Sequence, residues 1–239
     1  LQKNHNKCPI VFSSSSKSKE ENFYGKTKYK AEQLLIQHSS HNASQIFIFR
    51  FPNIFGKWSK PKHNSVVSSI ICNLLDKNKT EIWNGNEDFE LLYIDKVISH
   101  LLDCLKDKKL KIIKKNDFET TKTTVNYIYN KLQFFHNDRK KEKFKLNFNE
   151  FDKNLYSTYL SFLKIEDCIF PIKSFVDHRG SFTEFVKEPL SGQISVFTAF
   201  PNVVRGNHFH HTKVERFLVS SGTALFKFKN IINSMEYEK

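Results

Sequence analysis

Short runs of β-branched and aromatic residues alternate with stretches of helical spacing through the first 105 residues, and this alternation constrains the fold most. CysProIleValPheSerSerSerSer at 8–16 reads as a short buried strand entering a polar turn, and GlnIlePheIlePheArgPhe at 45–51 as a second strand, closed by Pro52 and Asn53. Between them, Asn22 to His38 reads as a helix, with Ala31, Leu34 and Leu35 as its apolar stripe and Glu32 among lysines on the other side. A further amphipathic helix is expected at 64–76, strands at 81–86 and 91–95, and a helix at 97–105. Strands that alternate with helices predict an α/β domain built on a parallel, Rossmann-like sheet. After about residue 165 the rhythm changes to short alternating strands, at 169–172, 181–186, 193–197, PheLeuVal (217–219) and LeuPheLysPhe (225–228). Turn signals near every ten residues predict a β-sandwich or barrel there. The expected domains are therefore 1–155 and 165–239.

Composition decides less. The formal charge is +13, from 38 Lys or Arg against 25 Asp or Glu, with Lys in large excess over Arg. The excess sits mainly in the Lys-rich stretch 106–145, which carries no nucleic-acid reading motif and few arginines. A solvated surface is the expected role, with no nucleic-acid partner. No apolar run approaches the roughly 18 residues of a membrane-spanning helix, and no signal peptide opens the chain, so no membrane partner and a cytoplasmic location are expected. Cys8, Cys72, Cys104 and Cys168 are too far apart for a CxxC site and are expected to be buried thiols. The chain opens on Leu1, and its only Met is Met235, so a fragment is expected.

Two constellations carry chemistry. On a helix, Tyr24 and Lys28 stand at i and i+4 on one face. An ammonium beside a phenol favours the phenolate, and such a tyrosine can exchange the proton that accompanies hydride transfer at a carbonyl. The same spacing recurs at Tyr127 and Lys131, so spacing alone does not discriminate. Context does: only Tyr24 follows a strand ending in four serines, lies in TyrGlyLysThrLys before AlaGlu, and precedes ArgPheProAsnIlePheGly at 50–56. Further on, ArgGlyAsnHisPheHisHisThrLysValGlu at 205–215 is followed by Gly222. On a strand His208 and His210 would share a face, with Glu215 returning a carboxylate from the next strand. Two imidazoles and a carboxylate suit Zn, Fe, Mn or Ni, and Zn is the divalent metal expected. His211 is expected at the surface. A metal-free sugar site with a histidine base is the alternative.

The first set of residues resembles the extended short-chain dehydrogenase/reductase family, in its nucleotide-sugar branch. The resemblance implies that Ser15 (or Ser14), Tyr24 and Lys28 are catalytic. It also implies that Lys28, Pro52 and Asn53 lie by the nicotinamide, that Asn53 touches substrate, and that TyrIleAsp at 93–95 helps hold the substrate domain. The cofactor implied is NADPH or NADH. The family's Gly-rich phosphate turn is missing: none of the 7 glycines forms GxxGxxG. The second set resembles the first cupin motif, whose second motif would lie beyond Lys239, so the carboxyl end is expected to be truncated too. AspHisArgGlySerPheThrGluPhe at 177–185 resembles the opening of deoxysugar-nucleotide epimerase cupins, implying Asp177 and Arg179 as pocket residues. Arg205, with its planar fork of donors, suits a diphosphate. Reductase-like and cupin parts in this order resemble the bifunctional enzymes of capsular polysaccharide synthesis. That implies epimerisation and 4-keto reduction of a UDP-linked 4-keto-6-deoxy-2-acetamido sugar, leading to UDP-N-acetyl-L-fucosamine, in a homo-oligomer, a dimer. Another nucleotide-sugar epimerase, dehydratase or reductase, and an inactive truncated remnant, are the alternatives.

Overall fold

The computed structural model describes residues 8–42, 45–61, 65–76, 85–104, 106, 111–113, 117–139, 148–169, 171–188 and 192–239. Strand β1 (Ile10–Ser15) leads through a turn to helix α1 (Phe23–Asn42), and the chain returns as β2 (Ile46–Phe51). These strands pair in parallel, Ile10 opposite Ile46 through Ser15 opposite Phe51. Strand β5 (Lys111–Ile113) adds to the free side of β2, also in parallel, giving the order β1-β2-β5. As the middle strand, β2 is covered on both faces, and Ile46, Phe47, Ile48 and Phe49 are fully buried. That is why its sequence is a continuous apolar run rather than an alternation.

A second sheet follows at once. Strand β3 (Asn53–Phe55) pairs in parallel with β4 (Phe89–Tyr93), which pairs antiparallel with β6 (Thr121–Thr123). Helices α2 (Val66–Leu75), α3 (Ile94–Cys104), α4 (Val125–Asp138) and α5 (Glu150–Leu160) complete this part, and a single turn, α6 (Ile165–Cys168), closes it. Three of these helices open on side-chain caps, Ser65, Thr124 and Asn149 each accepting from the backbone N–H three residues on. The core has two clusters. Phe55, Ile70, Leu91, Ile128, Phe135 and Tyr159 centre one, and Phe47, Phe49, Phe51, Leu92 and Phe118 centre the other. The α/β, Rossmann-like prediction holds.

Later strands are β7 (Ser174–Asp177), β8 (Gly180–Glu188) and β9 (Gly192–Phe197), in that order in one sheet, and a hairpin of β10 (Lys227–Lys229) and β11 (Glu236–Glu238). Two compact units result: Leu1–Ser174 with Thr183–Val196, and Phe175–Phe182 with Phe197–Lys239.

Several expectations change. The expected strand at 169–172 does not form among its described residues, where Pro171 removes a ladder donor; β7 starts at Ser174. PheLeuVal at 217–219 is irregular, and LeuPheLysPhe contributes only its end to β10. The sheets are open and small, and no barrel closes among the described residues. An alternating segment becomes a strand only where a neighbour completes its ladder; Thr198, Phe200 and Phe226 make backbone hydrogen bonds to Ser181, Arg179 and Lys239 at the two ends, while residues 201–225 form no strand. Of the expected 81–86 strand, residues 81–84 lie outside the described residues, as do 107–110, 114–116 and 140–147 of the Lys-rich stretch. The described part of that stretch is not the expected solvated surface alone, because Phe118, Ile128, Leu132 and Phe135 are buried in the core clusters. Cys8 and Cys168 are exposed rather than buried, because they fall at the edges of regular structure. On α1 the polarity pattern inverts, with Glu32 fully buried and Leu34 58% exposed. No helix among the described residues is long and apolar enough to cross a membrane.

Candidate functional site

The turn between β1 and α1 sets the first site. Ser15, the last residue of β1, accepts a hydrogen bond at Oγ from the Lys17 backbone N–H (3.1 Å), while its carbonyl accepts from the Ser18 N–H (2.9 Å). Asn22 then caps α1, its side-chain oxygen accepting from the Gly25 N–H (2.8 Å). Gly25 is buried because the helix start presses on the turn: a Cβ there would lie 2.4 Å from the Glu20 carbonyl oxygen and 2.6 Å from that of Lys17. Tyr24 therefore opens the helix with its ring half-exposed.

One turn on, the Lys28 ammonium donates to the Ser13 carbonyl of β1 (3.0 Å). It lies 5.9 Å from the centre of the Tyr24 ring and 5.4 Å from that of Phe12. The helix thus brings Tyr24 and Lys28 together beside β1, as the spacing predicts. Tyr127 and Lys131, the competing pair, lie on α4, where the Lys131 ammonium is taken by Asp152 (2.8 Å), an ion pair that serves packing between α4 and α5.

Pro52 is buried in the link between β2 and β3, and Asn53 follows it, exposed, its side-chain amide donating to the Glu90 carbonyl (3.4 Å). Asn53 lines a cavity of about 430 Å³ with Ser65, Val66, Phe89 and Val125. Three residues on, Gly56 packs against α3, where an added Cβ would stand 2.2 Å from Ile94 Cγ2. Trp58 beyond it takes a left-handed φ of 60° and is 81% exposed, a strained placement that the sequence did not announce.

The largest surprise is behind the site. Glu32, placed in sequence on a solvated face, is fully buried and forms a forked ion pair with Arg50 (2.5 Å at the closest). The Ser14 hydroxyl donates to the same carboxylate. Burial opposes ionisation of Glu32, but the Arg50 and Ser14 hydrogen bonds and the Arg50 charge outweigh it and hold the carboxyl below its usual range. Ser14 is thereby committed inside the fold, which leaves Ser15 as the serine at the strand end. Arg50 in an otherwise apolar strand is the sequence signal for a buried partner.

The second set lies in the Phe175–Phe182 and Phe197–Lys239 unit. Asp177 accepts from the Arg179 side chain (2.6 and 3.0 Å) and backbone N–H (2.8 Å), with Arg205 at 3.5 Å. The Arg179 hydrogen bonds, chiefly from its side chain, lower the Asp177 pKa to about 2. The Arg205 guanidinium lies 5.6 Å over the Phe197 ring. His208 and His210 have ring centres 5.0 Å apart, and His210 Nε2 is 3.5 Å from Glu215. Neither flank forms the expected strand, because Gly206 (φ 108°) and Asn207 (φ 59°) break extended backbone just before His208. Glu215 is held by Lys213 (2.9 Å), whose hydrogen bond is the main cause lowering its pKa. His208, His210 and Glu215 are the right donors for a divalent metal but do not converge as three, and no group of three such ligands among the described residues is arranged to hold one.

Comparison with known proteins shows what the chain resembles. Residues 6–115 match the NAD dependent epimerase/dehydratase family, and residues 175–238 match the polysaccharide biosynthesis C-terminal domain. A UDP-glucose 4-epimerase from Thermotoga maritima, 18% identical, shares the fold over 64% of this chain and 63% of its own (TM-score 0.50). The particular relatives are nearer. The chain is a close homologue of the UDP-2-acetamido-2,6-beta-L-arabino-hexul-4-ose reductase of Pseudomonas aeruginosa, 35% identical across 238 residues, all of this chain and 64% of that protein. It also matches the crystal structure of the capsular polysaccharide assembling protein CapF from Staphylococcus aureus, at 34% identity and a TM-score of 0.87, over all of this chain and 66% of that one. The chain thus spans just under two thirds of the length of both relatives.

Proposed function

We propose that this chain carries the proton-transfer half of a nucleotide-sugar reductase site. The substrate is a UDP-linked 4-keto-6-deoxy-2-acetamido sugar, reduced at C4 and epimerised next to the ketone on the way to UDP-N-acetyl-L-fucosamine. The observation that carries this reading is the Lys28 ammonium, anchored on the Ser13 carbonyl and 5.9 Å from the Tyr24 ring at the open end of β1. It is supported by the names of the reductase homologue and of the CapF counterpart.

A nicotinamide cofactor, NADPH with NADH as the alternative, would supply the hydride. The residues present fit its nicotinamide end: Lys28 is partly exposed beside a half-exposed phenol, and Pro52 and Asn53 follow the neighbouring strand. Tyr24 donates the proton to the developing C4 alkoxide, Lys28 stabilises the phenolate left behind, and Ser15 hydrogen-bonds the same oxygen. Asn53, at the rim of its cavity, orients the sugar. In the 165–239 domain, Asp177 is held ionised, so it serves as a fixed acceptor rather than an acid, while Arg179 and Arg205 face the diphosphate. The Arg205 Nε is buried without a hydrogen-bond partner among the described residues, which suits an anion. The same proposal covers a cupin-type fold for this domain, a divalent metal (Zn) on His208, His210 and Glu215 once Glu215 leaves Lys213, a cytoplasmic location and a homodimer.

Incubating the full-length protein, of the span its relatives have, with NADPH and the UDP-4-keto sugar tests the reading through absorbance at 340 nm. Tyr24→Phe should slow NADPH loss by roughly 10²–10⁴-fold, the usual contribution of a positioned acid, and Lys28→Ala should act in the same direction. No NADPH loss, or loss untouched by either substitution, refutes it.

A further inference from the structure

The proposed chemistry makes no use of Glu32 and Arg50, yet they form a buried ion pair directly behind it. Stability does not explain the pair, because well-packed apolar residues in its place are commonly neutral or better. Its location is more informative. Tyr24, Lys28 and Glu32 occur at i, i+4 and i+8, so they form one stripe along α1 that runs from half-exposed to fully buried. Arg50 on β2 stands opposite Ser14 on β1 in the parallel register. Both side chains converge on the Glu32 carboxylate, Arg50 through its fork and Ser14 through its hydroxyl. Ser13, whose carbonyl receives the Lys28 ammonium, is the residue before Ser14, and Arg50 is two residues before Pro52. One carboxylate therefore ties α1, β1 and β2 together at the level of the site.

We propose that Glu32, gripped by Arg50 and Ser14, is a positioning residue that fixes the rotation and sliding of α1 against β1 and β2, and so holds Tyr24 and Lys28 in register with Ser15 and Asn53. The inference rests on the reductase reading for its kinetic consequence, while the geometric consequence at Lys28 stands apart from it.

The decisive variant is the double substitution Glu32→Leu with Arg50→Met, which removes the clamp without leaving a buried charge. Its thermal midpoint should stay near wild type, while kcat falls by at least about tenfold and KM changes little, since small misplacements of catalytic groups are costly. The ¹³C-methyl resonance of Lys28, observed by NMR at one fixed pH after reductive methylation and assigned with Lys28→Arg, should move in the variant as the amine leaves the Ser13 carbonyl and the Tyr24 ring. If kcat and the Lys28 resonance both match wild type, the pair is packing only and the proposal is overturned. Should the double variant not fold, Arg50→Lys decides: it keeps the charge and loses the fork. An unchanged kcat and Lys28 resonance in Arg50→Lys overturn the clamp, and a folded protein with both altered supports it. A full-length wild-type protein that does not oxidise NADPH refutes the reductase reading, and the Lys28 resonance then tests the clamp alone.

Discussion

At the scale of single residues, Glu32 and Leu34 exchange the places that their side chains lead one to expect. The helix stripe drawn through Ala31, Leu34 and Leu35 leaves Leu34 exposed, while Glu32 goes to the interior because Arg50 is already there to receive it. A titration follows from this. The Glu32 carboxyl binds its proton less readily in the fold than in the unfolded chain, where it has its ordinary value of 4.5. The unfolded state therefore takes up protons first as the pH drops, and stability rises with pH across this range. Glu32 should contribute its full stabilisation above 4.5 and lose it progressively as the pH falls below 4.5 through the folded value. Thermal midpoints measured from pH 6 downward should show this fall in the wild type, and a shallower one in Glu32→Gln, which is less stable throughout. A parallel fall in both proteins contradicts the assignment. The pair Tyr24 and Lys28 was legible because i, i+4 spacing states a contact directly. The Glu32–Arg50 contact was not, since its partners are 18 residues apart and meet only through the fold.

At the scale of elements, the strands and helices expected up to residue 105 form with shifted ends, apart from the strand at 81–86, whereas β5, β6 and α4 arise within the stretch 106–145 expected to be a solvated surface, and α4 buries Ile128, Leu132 and Phe135 in the core. The main shift is at β4, which stops at Tyr93, so that Ile94 and Asp95 open α3 rather than prolong the strand. That junction is tight because Gly56 at the end of β3 receives Ile94 side-on. Gly56→Ala should destabilise by about 1–3 kcal/mol, the usual cost of overpacking, read as a lower midpoint in urea unfolding. Adding Ile94→Ala should recover part of that loss, and a neutral Gly56→Ala would contradict the close approach. The segments from 198 to 226 show the limit of periodicity. PheLeuVal at 217–219 has the β-prone residues of a strand, but residue type does not state whether a neighbour is present to complete the hydrogen bonds. Before His208, left-handed backbone at Gly206 and Asn207 interrupts extension as well.

At the scale of the molecule, the fully buried side chains concentrate between Ile46 and Tyr159, so the packed core belongs to the first unit. In the second unit Val214, Leu218 and Ile232 are each more than 90% exposed, and no comparable core forms there. A ligand that binds the folded form adds its binding energy to stability, and so little core makes this unit sensitive to one. If His208, His210 and Glu215 take Zn²⁺ as proposed, adding the ion should raise the thermal midpoint of the wild-type chain and leave that of His208→Ala unchanged, with one bound zinc lost by elemental analysis. Equal zinc content in the two proteins removes the metal from the proposal. The positive charge, by contrast, proves uninformative about partners at this scale, for it resides largely in the Lys-rich stretch at 106–145 and not in either constellation.

The amino-acid sequence by itself determined the α/β order, the pairing of Tyr24 with Lys28 and the family resemblance, because all three rest on spacing within a dozen or so residues or on residue types in fixed order. Only the tertiary structure decided that Ser14 turns inward, that Glu32 is buried on Arg50, and that the His208–Glu215 segment is irregular. Each of these depends on which distant group is present to satisfy a charge or a backbone hydrogen bond, and that is settled by packing rather than by local pattern.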